Sequence, residues 1–343
     1  MYYLPTSLIF FGYAFFTFFY TIRNRKEKLE KHLFVNEILF VLLLLNAGIM
    51  YPFIYQFHSP QLFQDTINFL WLLSSLLFLI EMGVLGIILT YNAIISKRDP
   101  DIMAERDYKK YCKEFNENWT DDLKSEFGRK MLHLFTCSVI FIFWTIGTIF
   151  ESLGILESLR LDLYSFSYWW IVTIGFSFVF MFQVADLARL NKFYMLPNWA
   201  KKWYHSMRQN ELNTFIGSTP LVLSFVPFIF APFPIFAAVA LITTVADAIA
   251  CLIGKKFGNH NLKKNSEKTI EGFIAGGLST FLIVIIIMII YNRWILIQFP
   301  RIVLMAIVAA IIFLLIDLFS NNISDNILNP ILTGLAIWII FLI

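Results

Sequence analysis

Long apolar stretches separated by short polar segments make up most of the chain. An α-helix rises about 1.5 Å per residue, so about 20 apolar residues are enough to cross the roughly 30 Å hydrocarbon core of a bilayer. The pattern therefore predicts an all-α, polytopic integral membrane protein. About ten membrane-spanning helices are predicted, over residues 2–22, 34–57, 66–96, 130–150, 164–188, 214–230, 233–254, 273–291, 301–319 and 325–343.

The two predicted spans at 214–230 and 233–254 are separated only by the proline-containing segment 231–234. Proline has no backbone N–H to donate and interrupts a helix that contains it. Two interpretations remain open for this region. It forms either a tight hairpin between two spans or one broken helix.

Composition supports the membrane class. Hydrophobic residues make up 58% of the chain and charged residues only 15%. A typical soluble domain contains about 25% charged residues, so this composition excludes an ordinary soluble protein. The cysteines, Cys112, Cys137 and Cys251, lack metal-ligand spacing and are predicted to be reduced, structural thiols.

Basic residues predict the orientation of the chain in the membrane. Of the 27 Lys and Arg residues, 24 lie in four connections, 23–33, 97–130, 189–213 and 255–272. The positive-inside rule places these connections in the cytoplasm. The alternation of basic and non-basic connections also favours an even number of spans, so both termini are predicted to lie outside.

The chain changes character near residue 97. Residues 1–96 are predicted to form an N-terminal three-helix membrane segment with few ionisable groups. Residues 97–127 carry both signs of charge among aromatic residues and are predicted to form a helical cytoplasmic connector. Residues 128–343 are predicted to form a seven-helix membrane core, which contains every strong polar motif.

Residues 247–272 form a charged, glycine-containing segment between two apolar runs. An acidic residue inside a spanning helix costs roughly 2.5 to 3.5 kcal/mol, so Asp247 requires a partner or a water-filled site. Asp247, Ala250, Gly254 and Gly258 recur at helical spacing and share one helix face. Helix packing through small residues explains Ala250 and Gly254 but leaves Asp247 unexplained.

The loop that follows combines ammonium groups with a predicted helix start. Lys263, Lys264 and Lys268 lead to Thr269 and Glu271. Free amides at a helix start bind phosphate, and carboxylates bind magnesium. Ligand binding by this loop is weighed against a solvated basic turn.

Other polar groups lie at the predicted cytoplasmic ends of helices. Arg129, Lys130 and His133 open the fourth span, either as part of a site or as positive-inside anchors with an interfacial histidine. Asp186 and Arg189 close the fifth span at a spacing that permits either an intrahelical ion pair or a charged lip over a site.

Two further polar groups have competing explanations. Arg208 and Glu211 precede Gly217 at the start of the sixth predicted span, where capping is an alternative to ligand binding. Asp325 and Asn326 lie in a short turn without basic residues. They either face lysines or a metal, or only build the turn.

Taken together and in this order, the motifs after residue 128 resemble the polyprenol kinase family, which includes dolichol kinase, phytol kinase and the CTP-dependent diacylglycerol kinases. The central portion is also similar to lipid-phosphate cytidylyltransferases. The motifs are Arg129-Lys130-x-x-His133, Asp186-x-x-Arg189, Arg208-x-x-Glu211 with Gly217, Asp247-x-x-Ala250-x-x-x-Gly254-x-x-x-Gly258, Lys268-Thr269-x-Glu271-Gly272 and Asp325-Asn326-x-x-x-Pro330.

The resemblance implies a CTP-dependent lipid kinase, which transfers the γ-phosphate of CTP to the hydroxyl of a membrane lipid alcohol. Dolichol or another polyprenol is the expected acceptor, with a phytol-type alcohol or diacylglycerol as alternatives. Magnesium is the implied cofactor. The expected location is the cell membrane or the endoplasmic reticulum, with the active site facing the cytoplasm, and no nucleic-acid partner is expected.

The resemblance also implies roles for individual residues. Asp247 or Asp186 would accept the alcohol proton, Arg129 or Lys130 would stabilise the transferred charge, and His133 completes the catalytic set. The implied nucleotide-binding residues are Gly254, Gly258, Lys264, Lys268, Thr269, Gly272 and Arg208. The implied magnesium ligands are Asp247, Glu271, Glu211, Asp325 and Asn326.

Two other functions remain in play. A cytidylyltransferase would use similar CTP and magnesium groups to make a CDP-lipid, and the motifs at 129–133 and 325–326 favour the kinase over it. A membrane transporter is the non-enzyme alternative, because intramembrane acids also build ion paths. Against a transporter, the charges cluster near one predicted membrane face.

Overall fold

The computed structural model describes residues 1–25, 31–119, 123–263, 268–320 and 323–343. Within these residues the protein is helical, and the only β pairing is an isolated bridge between Asn261 and Thr269. Nine helices of this part are long and apolar enough to cross a membrane: α1 Leu4–Arg23, α2 Leu33–Phe57, α3 Gln64–Arg98, α4 Glu126–Ser152, α5 Leu163–Met195, α6 Phe233–Phe257, α7 Ile270–Ile290, α8 Phe299–Phe319 and α9 Asp325–Leu342.

Shorter helical segments connect these helices. The α-helical ones are Pro100–Glu105, Tyr108–Asn118, Ile155–Ser158, Asn198–Lys201, Ser218–Ser224 and Asn292–Ile295. The 3₁₀ turns between spans are Lys202–Ser206, Gln209–Glu211 and Val226–Phe230. The predicted all-α, polytopic membrane class is therefore confirmed.

The predicted span at 214–230 is not among the nine helices of the described residues that are long and apolar enough to cross a membrane, and a crossing there stays a prediction. Ser218–Phe230 is a shorter apolar segment in which a helix ends at Ser224 and a 3₁₀ turn follows. Pro227 lies in that turn, and a proline there disfavours continuing the α-helix. Leu223 and Phe228 are fully buried, so these large apolar side chains pack inside the protein rather than against lipid.

The number of crossings affects the predicted location of the termini. Nine single crossings would place the two termini on opposite sides of the membrane. The prediction that both lie outside therefore depends on Ser218–Phe230 crossing as well, and it stays a prediction.

The chain divides into two compact units at positions that differ from the predicted domain boundaries. Unit 1 comprises Met1–Asp121 and Gly147–Thr219, and unit 2 comprises Asp122–Ile146 and Pro220–Ile343. Helix α4 contributes residues to both units. Helix α5 belongs with the N-terminal helices in unit 1, because aromatic packing joins it to them.

Aromatic rings form the core of unit 1. Phe10 of α1 lies 4.7 Å from Phe176 and 4.8 Å from Phe180 of α5, measured between ring centroids. Phe78 of α3 lies 5.1 Å from Phe180. A capping box starts α5, because the Asp162 side chain accepts a hydrogen bond from the Ser165 amide at 2.7 Å. This packing places α5 against α1 and α3.

The connector helix Tyr108–Asn118 also packs in unit 1. The Asp107 carboxylate caps its first turn by accepting from the Lys109 and Lys110 amides. Its Tyr111 and Phe115 side chains are buried in a cluster with residues from the segment after α5. The helical character predicted for the 97–127 connector is confirmed in its described part.

In unit 2, α7 packs between α6 and α8. Two of the long helices are locally widened into π turns, at Ile242–Ala246 within α6 and at Asn329–Thr333 within α9. The two π turns pack against each other. Such turns insert an extra residue into a helix and often occur at functional sites.

Candidate functional site

Lys130 and Asp247 form an ion pair that joins α4 to α6 in unit 2. The Lys130 side chain is 5% exposed and the Asp247 side chain 16%. The sequence requires a partner for Asp247 inside a spanning helix, and Lys130 is that partner. Removing one member of such a pair leaves a poorly solvated charge behind, which is far more costly than removing both.

A second ion-pair group surrounds Glu126, one helical turn before Lys130. The Glu126 carboxylate pairs with Arg129 and lies 3.6 Å from the Lys255 ammonium nitrogen. The Cys251 thiol donates at 3.5 Å to Oε2, the same Glu126 oxygen that pairs with Arg129. Glu126 is only 8% exposed, and it pairs with two cations at the start of α4.

Sequence reasoning missed both Glu126 and Lys255. Glu126 precedes Arg129 by three residues, and this spacing places the two side chains on one helix face. That local signal was available. The participation of Lys255 depends on the packing of α6 and had no signal in the sequence.

His133 lies one turn beyond Lys130 on α4 and is 4% exposed. Among the described residues, its Nδ1 atom has no hydrogen-bond partner. The charges of Lys130, Asp247 and Asp325 all act on this ring. The motif at 129–133 and Asp247 are therefore neighbours in unit 2, together with the start of α9.

The Asp325 side chain helps to build the turn at the start of α9. The Asp325 carboxylate accepts a hydrogen bond from the Asn326 amide at 2.9 Å. Asp325 also acts electrostatically on Lys130. The sequence offered two explanations, that Asp325 builds a turn or that it faces a lysine. The structure has features of both. The magnesium role of Asp325 and Asn326 stays a prediction.

Glu271 holds the turn that follows α6. Its carboxylate accepts hydrogen bonds from the Asn259 amide at 3.1 Å and the His260 amide at 3.5 Å. The His260 Nδ1 atom lies 2.8 Å from the same carboxylate. These contacts account for Glu271 without a metal, and its predicted magnesium role stays a prediction.

Two lysines of the same loop bind the end of α8. Lys268 lies 2.7 Å from the Asp317 carboxylate and donates to the Asp317 carbonyl at 2.8 Å, and Lys263 donates to the Leu318 carbonyl. The last carbonyls of a helix lack intrahelical partners, and ammonium groups satisfy them well. Lys264, also predicted to bind nucleotide, lies outside the described residues.

The glycines of the loop region form a close crossing between α6 and α7. A Cβ atom on Gly272 would lie 2.6 Å from the Ala250 carbonyl oxygen and 3.0 Å from the Gly254 Cα. A Cβ atom on Gly258 would lie 2.4 Å from the Thr269 methyl carbon. Thr269 caps α7 by accepting from the Gly272 amide at 3.2 Å. Packing explains these residues, and nucleotide binding by them stays a prediction.

The Asp186 and Arg189 pair lies in unit 1 and is completely buried. Arg189 donates to Asp186 at 3.0 Å, to the Leu212 carbonyl at 2.8 Å and to the Thr214 carbonyl at 2.6 Å. The second Asp186 oxygen accepts from the Ile216 amide at 2.8 Å. Both Asp186 oxygens are thus used to position residues 211–216. The catalytic role of Asp186 stays a prediction.

Glu211 closes the same loop. Its carboxylate accepts from the Arg208 amide at 2.9 Å and from the Gly217 amide at 2.8 Å. Burial raises the pKa values of Tyr108 and Tyr204 beside Arg189, so both phenols remain neutral at pH 7. The capping alternative is observed, because the Glu211 carboxylate accepts from two backbone amides. The roles predicted for Arg208 and Glu211 stay predictions.

Magnesium binding by the carboxylates of unit 2 stays a prediction. In the described part of the chain, no group of three or more His, Cys, Asp or Glu side chains forms a metal site. Magnesium usually needs only one or two protein carboxylates and takes its other ligands from phosphates and water. The charges of Glu126 and Asp247 both act on Cys251.

Comparisons with models of known protein families, with curated proteins and with solved structures found no match.

Proposed function

We propose that the protein is a CTP-dependent lipid kinase that transfers the γ-phosphate of CTP to the hydroxyl of a membrane lipid alcohol. The observation that carries this proposal is the Lys130–Asp247 ion pair. It joins two polar motifs that are 117 residues apart in the sequence. A merely anchoring role for the basic residues at 129–130 would not require this buried pairing.

The charged groups of unit 2 suit phosphoryl transfer. This reaction depends mainly on positioning and on neutralising the charge of the phosphates. Arg129 and Lys255 are 14% and 26% exposed, so their cationic groups are accessible to an anionic nucleotide. A magnesium ion held by Asp247, with Glu126 or Asp325, would neutralise further phosphate charge.

Asp247 is the proposed base. In the reaction the alcohol oxygen attacks the γ-phosphorus, the bond from that phosphorus to the bridging oxygen of CDP breaks, and the alcohol proton passes to a carboxylate. Asp247 is partly exposed, whereas Asp186 is fully buried and has both oxygens occupied. A carboxylate in hydrogen-bond reach of the attacking hydroxyl can act as its general base.

The membrane supplies the acceptor. A long-chain alcohol in the bilayer presents its hydroxyl at the interface, where soluble CTP can reach it. The basic connections favour the cytoplasmic face for this meeting. A polyprenol such as dolichol is the proposed acceptor, with phytol and diacylglycerol as the alternatives to test.

Isotope transfer tests the reaction. The purified protein is incubated in mixed micelles with a polyprenol, phytol or diacylglycerol, magnesium, and CTP labelled at the α or the γ phosphate. Transfer of the γ label to an alcohol is expected. Transfer of the α label to a lipid phosphate would instead indicate a cytidylyltransferase, and no transfer to any of these lipids would contradict both.

Variants of the ion pair test the proposed site. Asp247→Asn is expected to lower turnover by at least about 100-fold, because the base is lost. Lys130→Met combined with Asp247→Asn is equally inactive but unfolds closer to the wild-type temperature, since no unpaired charge is buried. The exposed Asp65→Asn serves as the control. Normal turnover of Asp247→Asn would exclude Asp247 as the base.

A further inference from the structure

Several buried polar atoms of unit 2 lack hydrogen-bond partners in the described structure, and two of them belong to helices that carry or contact the proposed catalytic ion pair. These two are the Nδ1 atom of His133 and the Oδ1 atom of Asn329. Both residues are only 4% exposed. Buried polar groups are nearly always paired in folded proteins, so an unpaired group requires a specific explanation such as a missing ligand.

Both residues lie on helices that carry the proposed catalytic ion pair or contact it. His133 follows Lys130 by three residues on α4, and Asn329 follows Asp325 by four residues on α9. Residues at these spacings lie on the same helix face. The Asp325 charge acts on both Lys130 and His133.

The two π turns bring the relevant elements together. The π turn of α6 ends directly before Asp247, and the π turn of α9 begins at Asn329. These turns contact each other. Asn329 is therefore on the part of α9 that packs against the segment leading into Asp247.

Neighbouring hydroxyl groups do not satisfy the two unpaired atoms. Thr243 and Thr244 donate to the carbonyls of Val239 and Ala240 in their own helix, at 2.8 and 2.7 Å. Thr333 likewise donates to the backbone carbonyl of Asn329, not to its side chain. These hydroxyl groups therefore leave both atoms unpaired.

We propose that His133 and Asn329 bind the hydroxyl of the acceptor alcohol. An amide oxygen can only accept a hydrogen bond, and the Nδ1 atom of a neutral imidazole can donate one. An alcohol O–H matches this pair, because it donates to Asn329 and accepts from His133. A methyl ether has no proton to donate to Asn329. This inference rests on the proposed kinase function and identifies its acceptor pocket, and Asn329 occupies an unspecified position of the motif Asp325-Asn326-x-x-x-Pro330.

Ligand-dependent thermal stability tests this pocket without requiring turnover. The midpoint of unfolding is measured in detergent with increasing geranylgeraniol or with its methyl ether. The alcohol is expected to raise the midpoint of the wild type more than the ether does. An equal effect of alcohol and ether, or no effect of either, would overturn the proposal.

Substitutions connect this discrimination to Asn329. In Asn329→Leu the preference for the alcohol over the ether disappears, because affinity for the alcohol falls about tenfold with the loss of one hydrogen bond. Asn329→Ala provides a second variant if leucine disturbs packing. The matched control is Thr280→Val, since Thr280 is also fully buried but already donates to the Gly276 carbonyl. Retained discrimination in both Asn329 variants would remove Asn329 from the site.

Enzyme assays separate this proposal from the kinase proposal. If the kinase assignment holds, Asn329→Leu raises the KM for the alcohol about tenfold and leaves the KM for CTP unchanged. Higher KM values for both substrates would overturn a specific alcohol pocket. If alcohol binding depends on Asn329 but no label from CTP reaches any lipid, the pocket stands and the kinase proposal fails. CTP hydrolysis in the absence of alcohol is measured for the wild type and for Asn329→Leu. Equal rates are expected if the pocket binds the lipid hydroxyl. A selective loss of hydrolysis in Asn329→Leu would indicate that the pocket binds the attacking water, and it would overturn the proposal.

Discussion

At the residue scale, the ion pairs Arg189–Asp186 and Lys130–Asp247 differ in how their polar atoms are used. Arg189 and Asp186 satisfy each other and several backbone groups in unit 1. Lys130 and Asp247 in unit 2 lie beside His133, which has an unpaired ring nitrogen. A fully satisfied pair positions a loop, whereas a pair beside an unpaired polar atom has capacity to bind a ligand.

The Arg189 network predicts a strong effect on stability. Arg189→Met leaves the Asp186 charge and several loop carbonyls buried without a donor, so we expect a loss of about 3 to 5 kcal/mol. This loss of stability is measured as a lower midpoint of thermal unfolding in detergent. Arg301→Met removes an exposed arginine and should change the stability by less than about 0.5 kcal/mol. Equal midpoints for the two variants would contradict a structural role for Arg189.

At the element scale, α6 combines a widened turn with a close helix crossing. Its π turn at Ile242–Ala246 precedes Asp247, and its small residues beyond Asp247 meet the start of α7. The crossing brings the helix backbones together through Gly254 and Gly272. Asp247 is thus held between two local features that set the path of the helix.

The crossing predicts that one methyl group is destabilising at Gly272. In Gly272→Ala the new Cβ would lie 2.6 Å from a backbone carbonyl, so the helices must separate. We expect a cost of about 1 to 3 kcal/mol and a lower midpoint of thermal unfolding. Gly86→Ala in α3 is the matched control, because a Cβ there meets no atom within 4 Å. Since alanine favours a helix more than glycine does, this control should be neutral or stabilising. A tolerant Gly272 would exclude the close crossing.

At the scale of the whole molecule, the side of the membrane on which each connection lies depends on Ser218–Phe230. This segment is too short for an ordinary span. The positive-inside rule predicts that the basic connections on both sides of Ser218–Phe230 and α6 lie in the cytoplasm. This arrangement requires two crossings between those connections. Ser218–Phe230 would then supply the second crossing in an interrupted, buried form.

Cysteine accessibility tests this topology. In a chain whose native cysteines are replaced by serine, Lys202→Cys and Lys263→Cys should react with a membrane-impermeant thiol reagent only after the membrane is permeabilised. Gln298→Cys, in the connection between α7 and α8, should react in intact cells. All three side chains are exposed. Labelling of Lys202→Cys and Lys263→Cys from opposite sides would show that Ser218–Phe230 does not cross.

The sequence predicted the class of the protein and the positions of its nine long helices. Hydrophobic length is a local property, and the bilayer thickness sets how many residues it requires. The same local reasoning did not foresee that the helix predicted at 214–230 is short and interrupted, with buried apolar side chains. Sequence alone also identified Asp247 as a residue that requires a partner.

Only the tertiary structure decided which partners the polar residues have. The contact between Lys130 and Asp247 links positions 117 residues apart, and helical periodicity carries no information about such a pairing. Packing also brought Lys255 to Glu126 and placed the unpaired Asn329 oxygen near the ion pair. Electrostatic and hydrogen-bond energies depend on distance in space. The sequence could therefore determine which residues are chemically able to form a site, whereas the fold determined which of them meet.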